Sequence, residues 1–290
     1  MLNYGCFLLR GLFLYLLVLN VCNANTLSSA AQADFLKALG QPSPEKVVQS
    51  CTHQAIDEDL LSTMTIVNRH RNGAEKKSIY TRLVKNPKGK DGVFEKMLLI
   101  SKFPPEAAGM AFLRWEYTPD TGKYPDQWLY SPSLRNVRKV SIRDDEERFL
   151  GSTLTLADIG IREVSRDNHQ ILTISTSGDG YILQIESTAK VNDGSYSKRL
   201  ISYYYEDNWD SCRVKQIGYY DKKGFLQKTQ KNQWQMRSNI WVWQHVEVEN
   251  HQTRELSIFE LKDVEINVGL KDKIFSERTL RRASKLKFEK

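Results

Sequence analysis

The sequence predicts one mainly-β domain with a few helices, built on a curved antiparallel sheet. Three observations carry that expectation. From Ser62 onward apolar residues recur with period two, the spacing that sends alternate side chains to one face of a strand. Three pairs of such runs are joined by short turn-forming stretches with no helical pattern between them, so neighbouring strands run antiparallel. Some runs, such as Met97-Leu98-Leu99-Ile100, are apolar at consecutive positions. A sheet apolar on both sides must be covered on both, or must enclose something apolar.

Residues 1–24 read as a secretory signal peptide, with Arg10 as the basic n-region, Gly11–Leu19 as the apolar h-region and Cys22-Asn23-Ala24 as the cleavage site. Val21 stands where a lipoprotein signal has Gly, Ala or Ser, so no lipidation of Cys22 is expected and the cut falls after Ala24. Ala30 to Leu39 has helical spacing, with Ala31, Phe35 and Leu39 in one row, ended by Gly40 and Pro42. Pro44 starts a second helix with Val47, Val48 and Cys51 on one side. In Met110 to Tyr117, Ala111, Leu113, Trp115 and Tyr117 share one face, and Met110, Phe112, Arg114 and Glu116 the other. Gln127 to Tyr130 is a short strand with Trp128 and Tyr130 together. Leu150 to Gly160 interrupts the strands, with Ser152 as helix N-cap and Gly160 as stop. Three hairpins then follow. Ile171–Thr176 and Tyr181–Ser187 flank a turn at 177–180, Lys215–Tyr220 and Phe225–Trp234 one at 221–224, and Ile240–Glu249 and Thr253–Leu261 one at 250–252. No linker or repeat divides the chain, so residues 25–282 form one domain and 283–290 a basic tail.

The charge is unevenly placed. Lys and Arg number 42 against 35 Asp and Glu, a net +7. The last twenty residues hold eight basic and three acidic side chains, whereas 25–270 hold 33 and 32. A basic groove tracking a nucleic-acid backbone needs cations spread along one face, so nucleic acid is not expected as a partner. The basic end suits a weak contact with anionic lipid headgroups. A mean hydropathy of −0.50 excludes a polytopic membrane protein.

Catalytic signatures are missing. There is no Gly-x-Ser-x-Gly, no His-Glu-x-x-His and no phosphate-cradling glycine loop. The five histidines have no metal-ligand spacing, and the run Asp144-Asp145-Glu146-Glu147 reads as a solvated loop. No metal, cofactor or catalytic residue is expected. After signal removal Cys51 and Cys212 remain, an even pair in an oxidising compartment. They are the candidate disulfide, and they pair only if the fold makes them neighbours.

Several stretches carry a family resemblance: GMAFLRW at Gly109–Trp115, DQWLYSPSL at Asp126–Leu134, NVRKV at Asn136–Val140, and FLGS at Phe149–Ser152. YSK at Tyr196–Lys198, YYDKKG at Tyr219–Gly224 and FSERTLR at Phe275–Arg281 fit the same pattern. Together they resemble the uncharacterised branch of the LolA-like outer-membrane lipoprotein-sorting proteins, over residues 45 to 282. One departure is Ser211-Cys212-Arg213-Val214, where such proteins often have an aliphatic-proline pair. The resemblance implies an incomplete antiparallel β-barrel closed by helices around an apolar cavity. It implies a monomeric, non-enzymatic periplasmic carrier of lipid or lipoprotein acyl chains, serving lipoprotein sorting or lipid export beside an RND-type inner-membrane exporter. The candidate cavity lining is Met97, Leu99, Leu113, Trp115, Trp128 and Tyr130, although buried aromatics are mostly packing. Arg114 and Arg138 are the strand arginines that could bond lid carbonyls or a lipid phosphate. The competing readings are a sensor binding an anti-sigma-type membrane partner and a hydrolase with an unrecognised site.

Overall fold

The period-two runs assemble into a single antiparallel sheet of 13 strands. The structure, a computed structural model, describes residues 25–52, 59–140, 146–191, 194 and 196–286. Residues 1–24, expected to be a signal peptide, lie outside the described residues, as do His53, Asp144, Asp145 and the last four residues of the chain. Two helices lead in, α1 (Ser29–Ala38) and α2 (Pro44–Thr52). Six strands follow: β1 (Asp59–Arg69), β2 (Glu75–Lys85), β3 (Val93–Phe103), β4 (Ala111–Tyr117), β5 (Asp126–Ser131) and β6 (Asn136–Lys139). After a long connection come β7 (Asp167–Ser177), β8 (Gly180–Ala189), β9 (Tyr196–Tyr205) and β10 (Arg213–Asp221). Then β11 (Leu226–Arg237), β12 (Ile240–Asn250), β13 (Glu255–Ile266) and the one-turn α3 (Glu277–Leu280) complete the chain.

The strand order is β6-β5-β4-β3-β2-β1-β13-β12-β11-β10-β9-β8-β7. The chain therefore steps outward from β1 to one edge at β6, crosses to the opposite edge at β7, and steps back to β13. There β13 pairs with β1, Phe259 opposite Ile66. The sheet stays open, with β6 and β7 as its edges. The turns follow from residue type. Gly224, at φ +83°, adopts the left-handed conformation that glycine takes without steric cost, and Asp221 Oδ1 accepts from the Lys223 and Phe225 amides.

The connection from Val140 to Arg166 crosses one face of the sheet, here called the inner face. Its residues Phe149, Leu154 and Leu156 are buried against Met64, Ile66, Tyr80, Leu99, Phe112, Val248 and Phe259. Helix α2 covers the same face over β7–β10, burying Val47, Val48 and Cys51 against Ile174, Leu183, Ile185 and Tyr203. Cys51 and Cys212 are bonded, S–S 1.97 Å, tying α2 to the start of β10. On the outer face of β2–β5, the segment from Leu270 to Ala283 covers Leu83, Leu98, Ile100 and Leu113. An apolar residue buried this way contributes about 1.5–3 kcal/mol, so both covers are held in place by apolar burial.

Two expectations need correction. No α-helix forms at Leu150–Gly160. The segment folds as a tight hairpin in which Arg148 bridges Thr155, and the Phe149 and Leu156 amides donate to Leu154 and Glu147 carbonyls. Ser152 Oγ accepts from the Leu154 amide two residues on, a local bond that competes with capping a helix. Helices also do not close the inner face alone. They cover one flank, and the crossing hairpin covers the middle.

Candidate functional site

The crossing hairpin is where apolar packing and buried charge meet. Phe149 stands edge-on to Phe112, ring centroids 5.5 Å apart, and stacks on Phe259 at 6.5 Å. At the hairpin tip the Thr153 amide donates to Ser257 Oγ at 2.9 Å, and Thr153 Oγ1 donates to the Val248 carbonyl at 3.1 Å. At its base Arg148 bridges to Glu255, which also accepts from Thr253 and meets His70. The Arg148 guanidinium, helped by the His70 and Thr253 bonds, holds the Glu255 carboxyl down at about 2.

Arg114 reaches the hairpin from β4. Its Nη1 donates to the Leu156 carbonyl at 3.2 Å, while Nε and Nη2 both donate to Glu116 Oε2, at 2.9 and 2.6 Å. Gly160 lies against this guanidinium so closely that a Cβ there would stand 2.1 Å from Nη2. Asp158 follows, its side chain fully buried. Its Oδ2 accepts from Lys228 Nζ (2.9 Å), the Tyr196 hydroxyl (3.0 Å) and the Thr155 amide (2.9 Å), while Oδ1 has no partner among the described residues. Burial, with the Asp158 charge second, pushes the Tyr196 and Tyr219 hydroxyls far above the ordinary tyrosine range. Further along the inner face, burial also raises the Glu95 carboxyl and lowers the Arg82 guanidinium. The inner face is thus apolar, with a few ionic fastenings under its cover.

Beside the hairpin a cleft of about 270 Å³ remains open. Tyr80, Phe112, Leu129 and Phe149 form its floor, and Lys76, Arg138 and Arg148 stand at its mouth. That volume falls just below the range of small-molecule sites.

The six residues expected to line one cavity lie on opposite faces. Met97 and Leu99 belong to the inner face, packed with the hairpin cluster. Leu113, Trp115, Trp128 and Tyr130 lie on the outer face beneath the C-terminal segment, where Trp115 Nε1 donates to the Phe275 carbonyl at 3.0 Å. The reason is the pleat. Met97 pairs with Arg114 across β3 and β4, so Leu113 and Trp115, the neighbours of Arg114 in sequence, point the other way. Arg114 bonds a carbonyl of the inner-face cover. Arg138 lies exposed on β6 and pairs with Glu147 at 3.0 Å. The residues that the sequence reading missed are Phe149, Leu154, Asp158 and Lys228. Phe149 stood in the FLGS stretch without a site role assigned to it, and a lone acid within the apolar stretch LTLADIG was the visible signal of Asp158. Among the described residues no cluster of metal-ligating side chains occurs.

An open antiparallel sheet with a covered apolar inner face is the LolA-like fold, and solved structures share it. A domain described as outer-membrane lipoprotein-sorting, from Vibrio parahaemolyticus, superposes with TM-score 0.72 at 21% identity, over 82% of this chain and 98% of its own. A DUF1329 family protein from Desulfovibrio piger gives 0.68 at 20% identity, over 87% and 98%. A LolA superfamily protein from Nitrosomonas europaea gives 0.59 at 18%, over 82% and 99%. These likenesses define the fold. The chain belongs to the family whose model matches residues 93–282 and whose description is that of an uncharacterized protein. No curated protein matches it.

Proposed function

We propose that this protein is a non-enzymatic periplasmic carrier that binds an acyl chain, of a lipid or a lipoprotein, on the inner face of its sheet. The observation that carries the reading is the nature of the inner-face cover. A wall of Met64, Ile66, Tyr80, Leu99, Phe112 and Phe259 is covered by an irregular hairpin, fastened at its tip, flank and base by the Thr153, Arg114 and Arg148 bonds. An empty apolar groove would expose surface that soluble proteins avoid. The hairpin fills that groove while no cargo is present.

Cargo and hairpin then exchange places. A sixteen-carbon chain left in water costs on the order of 12 kcal/mol at about 0.8 per methylene, so a carrier must shelter it. Expelling Phe149, Leu150, Leu154 and Leu156 from the same wall offsets a large part of that gain. The net affinity is the difference between two apolar occupants, and passing cargo between holders needs only small differences of this kind. The Asp158–Lys228 pair stays as the pivot beyond the hairpin, with Gly160 giving Arg114 room.

The test is uptake of a fluorescent sixteen-carbon acyl probe by purified mature protein, with native mass spectrometry and lipid extraction to identify any co-purified chain. Saturable uptake at one chain per protein supports the carrier. Absence of both uptake and a bound lipid sinks it.

A further inference from the structure

The two ends of the sheet differ in charge and in exposed apolar surface. Because every strand pair is antiparallel, the turns β1–β2, β3–β4, β5–β6, β10–β11 and β12–β13 fall at one end and β2–β3, β4–β5, β7–β8, β9–β10 and β11–β12 at the other. The β8–β9 turn lies beside Arg166, which sits over Tyr124 of the β4–β5 turn, and joins neither set. The first set carries five basic residues (Arg71, Arg135, Lys222, Lys223 and Arg254) against one acidic, a net of +4. The second set carries three basic and six acidic residues, a net of −3. Arg71, Arg135, Lys222 and Arg254 are exposed and enter no ion pair among the described residues.

The two most exposed large apolar side chains lie at the same end: Leu134 at 76% and Phe225 at 66%, each in one of the basic turns. The basic C-terminus joins them. Arg281, just beyond α3, donates through Nη1 to the Arg135 carbonyl at 3.2 Å, bringing exposed Arg281 and Arg282 to the β5–β6 turn. The crossing hairpin and the mouth of its cleft, with Lys76 and Arg148, open at this end too.

We infer that this end of the sheet docks on the surface of an anionic phospholipid bilayer. Cations drawn to headgroup phosphates, with a few apolar tips set among them, form the combination that holds a protein at a membrane interface without spanning it. A nucleic acid would need the charge extended along a face. The acidic opposite end keeps the molecule oriented, since it is repelled by the same surface. The inference does not rest on the carrier reading, because a docking rim is defined by charge and exposure alone.

Cosedimentation of the full mature chain with vesicles tests it. Phosphatidylcholine vesicles containing phosphatidylglycerol should bind at least about tenfold more protein than phosphatidylcholine alone, and raised salt should remove the difference. Combining Arg71→Gln, Arg135→Gln, Lys222→Gln and Arg254→Gln should abolish the preference while the urea midpoint stays unchanged. Leu134→Ser with Phe225→Ser should weaken binding and leave its salt dependence. Tyr124→Ser, at the opposite end, should change nothing. Equal binding to both vesicles, or wild-type binding by the four-Gln variant, would overturn the inference. Failure to bind either vesicle would also overturn it and redirect the rim to an acidic protein surface. Vesicle binding without acyl-probe uptake would leave docking standing and remove the carrier reading, and the reverse result would do the opposite.

Discussion

Replacing Phe149 with alanine should weaken the empty protein and tighten its hold on an acyl chain. In the empty state Phe149 is 4% exposed and touches both Phe112 and Phe259. Truncating such a ring costs about 3–5 kcal/mol. If cargo replaces the hairpin, Phe149 is already expelled in the loaded state, so the truncation costs nothing there. The full loss therefore favours loading, and at about 1.4 kcal/mol per decade a 3 kcal/mol loss raises acyl affinity on the order of a hundredfold. The gain has a ceiling, because the hairpin cannot lose more than its own free energy of docking. The assay is titration of a fluorescent acyl probe against both proteins, with circular dichroism as the control for folding. Phe259→Ala is the matched comparison. It removes a ring from the wall, which both occupants use, so affinity should not rise. A folded Phe149→Ala protein with unchanged or weaker acyl affinity would refute the exchange of hairpin for cargo.

Other consequences follow from the buried fastenings. Alkylation of folded mature protein without reductant should find no free thiol. Reducing the Cys51–Cys212 bond, which closes a separation of 161 residues, should lower stability by up to about 5 kcal/mol. An unchanged urea midpoint in reductant would contradict this. Asp158→Asn should cost about 3–5 kcal/mol by leaving Lys228 charged and unpaired in the interior. Adding Lys228→Met to it should recover much of that loss, and a double variant as unstable as the sum of the singles would count against the pairing. Glu255 has its folded value near 2, below the ordinary 4.5 of a glutamate. Its contribution is therefore present above about pH 4.5 and lost as pH falls toward 2. The urea midpoint of wild type should drop more steeply over that window than that of Glu255→Gln, and parallel curves would show that the Arg148 pair contributes nothing.

The sheet was largely legible in the sequence because period two is enforced residue by residue. The two faces of Met110–Tyr117 were readable, and so was the buried row Val47, Val48 and Cys51 on α2. Which face lay inward was not readable. A pleat makes Leu113 and Arg114 opposite without saying which is covered by what, and here both are buried, one by the C-terminal segment and one by the crossing hairpin. The stretch Leu150–Gly160 misled for a related reason. Ser152 and Gly160 stand where a helix cap and stop would, whereas the distant partners Ser257, Val248 and Arg114 help to hold the segment as a hairpin. The Asp158–Lys228 pair spans 70 residues, a separation at which no local pattern connects an acid to a base. Charge behaved in the same way. The net +7 and the basic C-terminus are visible in the sequence, but the gathering of basic turns at one end follows only from the alternation of strand direction.

The central claim is that acyl cargo and the crossing hairpin compete for one wall. Hydrogen exchange of the hairpin amides with and without a bound sixteen-carbon chain tests it most directly. In the empty protein the Phe149, Thr153 and Leu156 amides donate to Leu154, Ser257 and Glu147 and should exchange slowly. With the chain bound they should exchange markedly faster, while β1, β12 and β13 keep their protection. Hairpin amides that stay as slow, or become slower, in the saturated complex would show that the cargo lies elsewhere and would contradict the account.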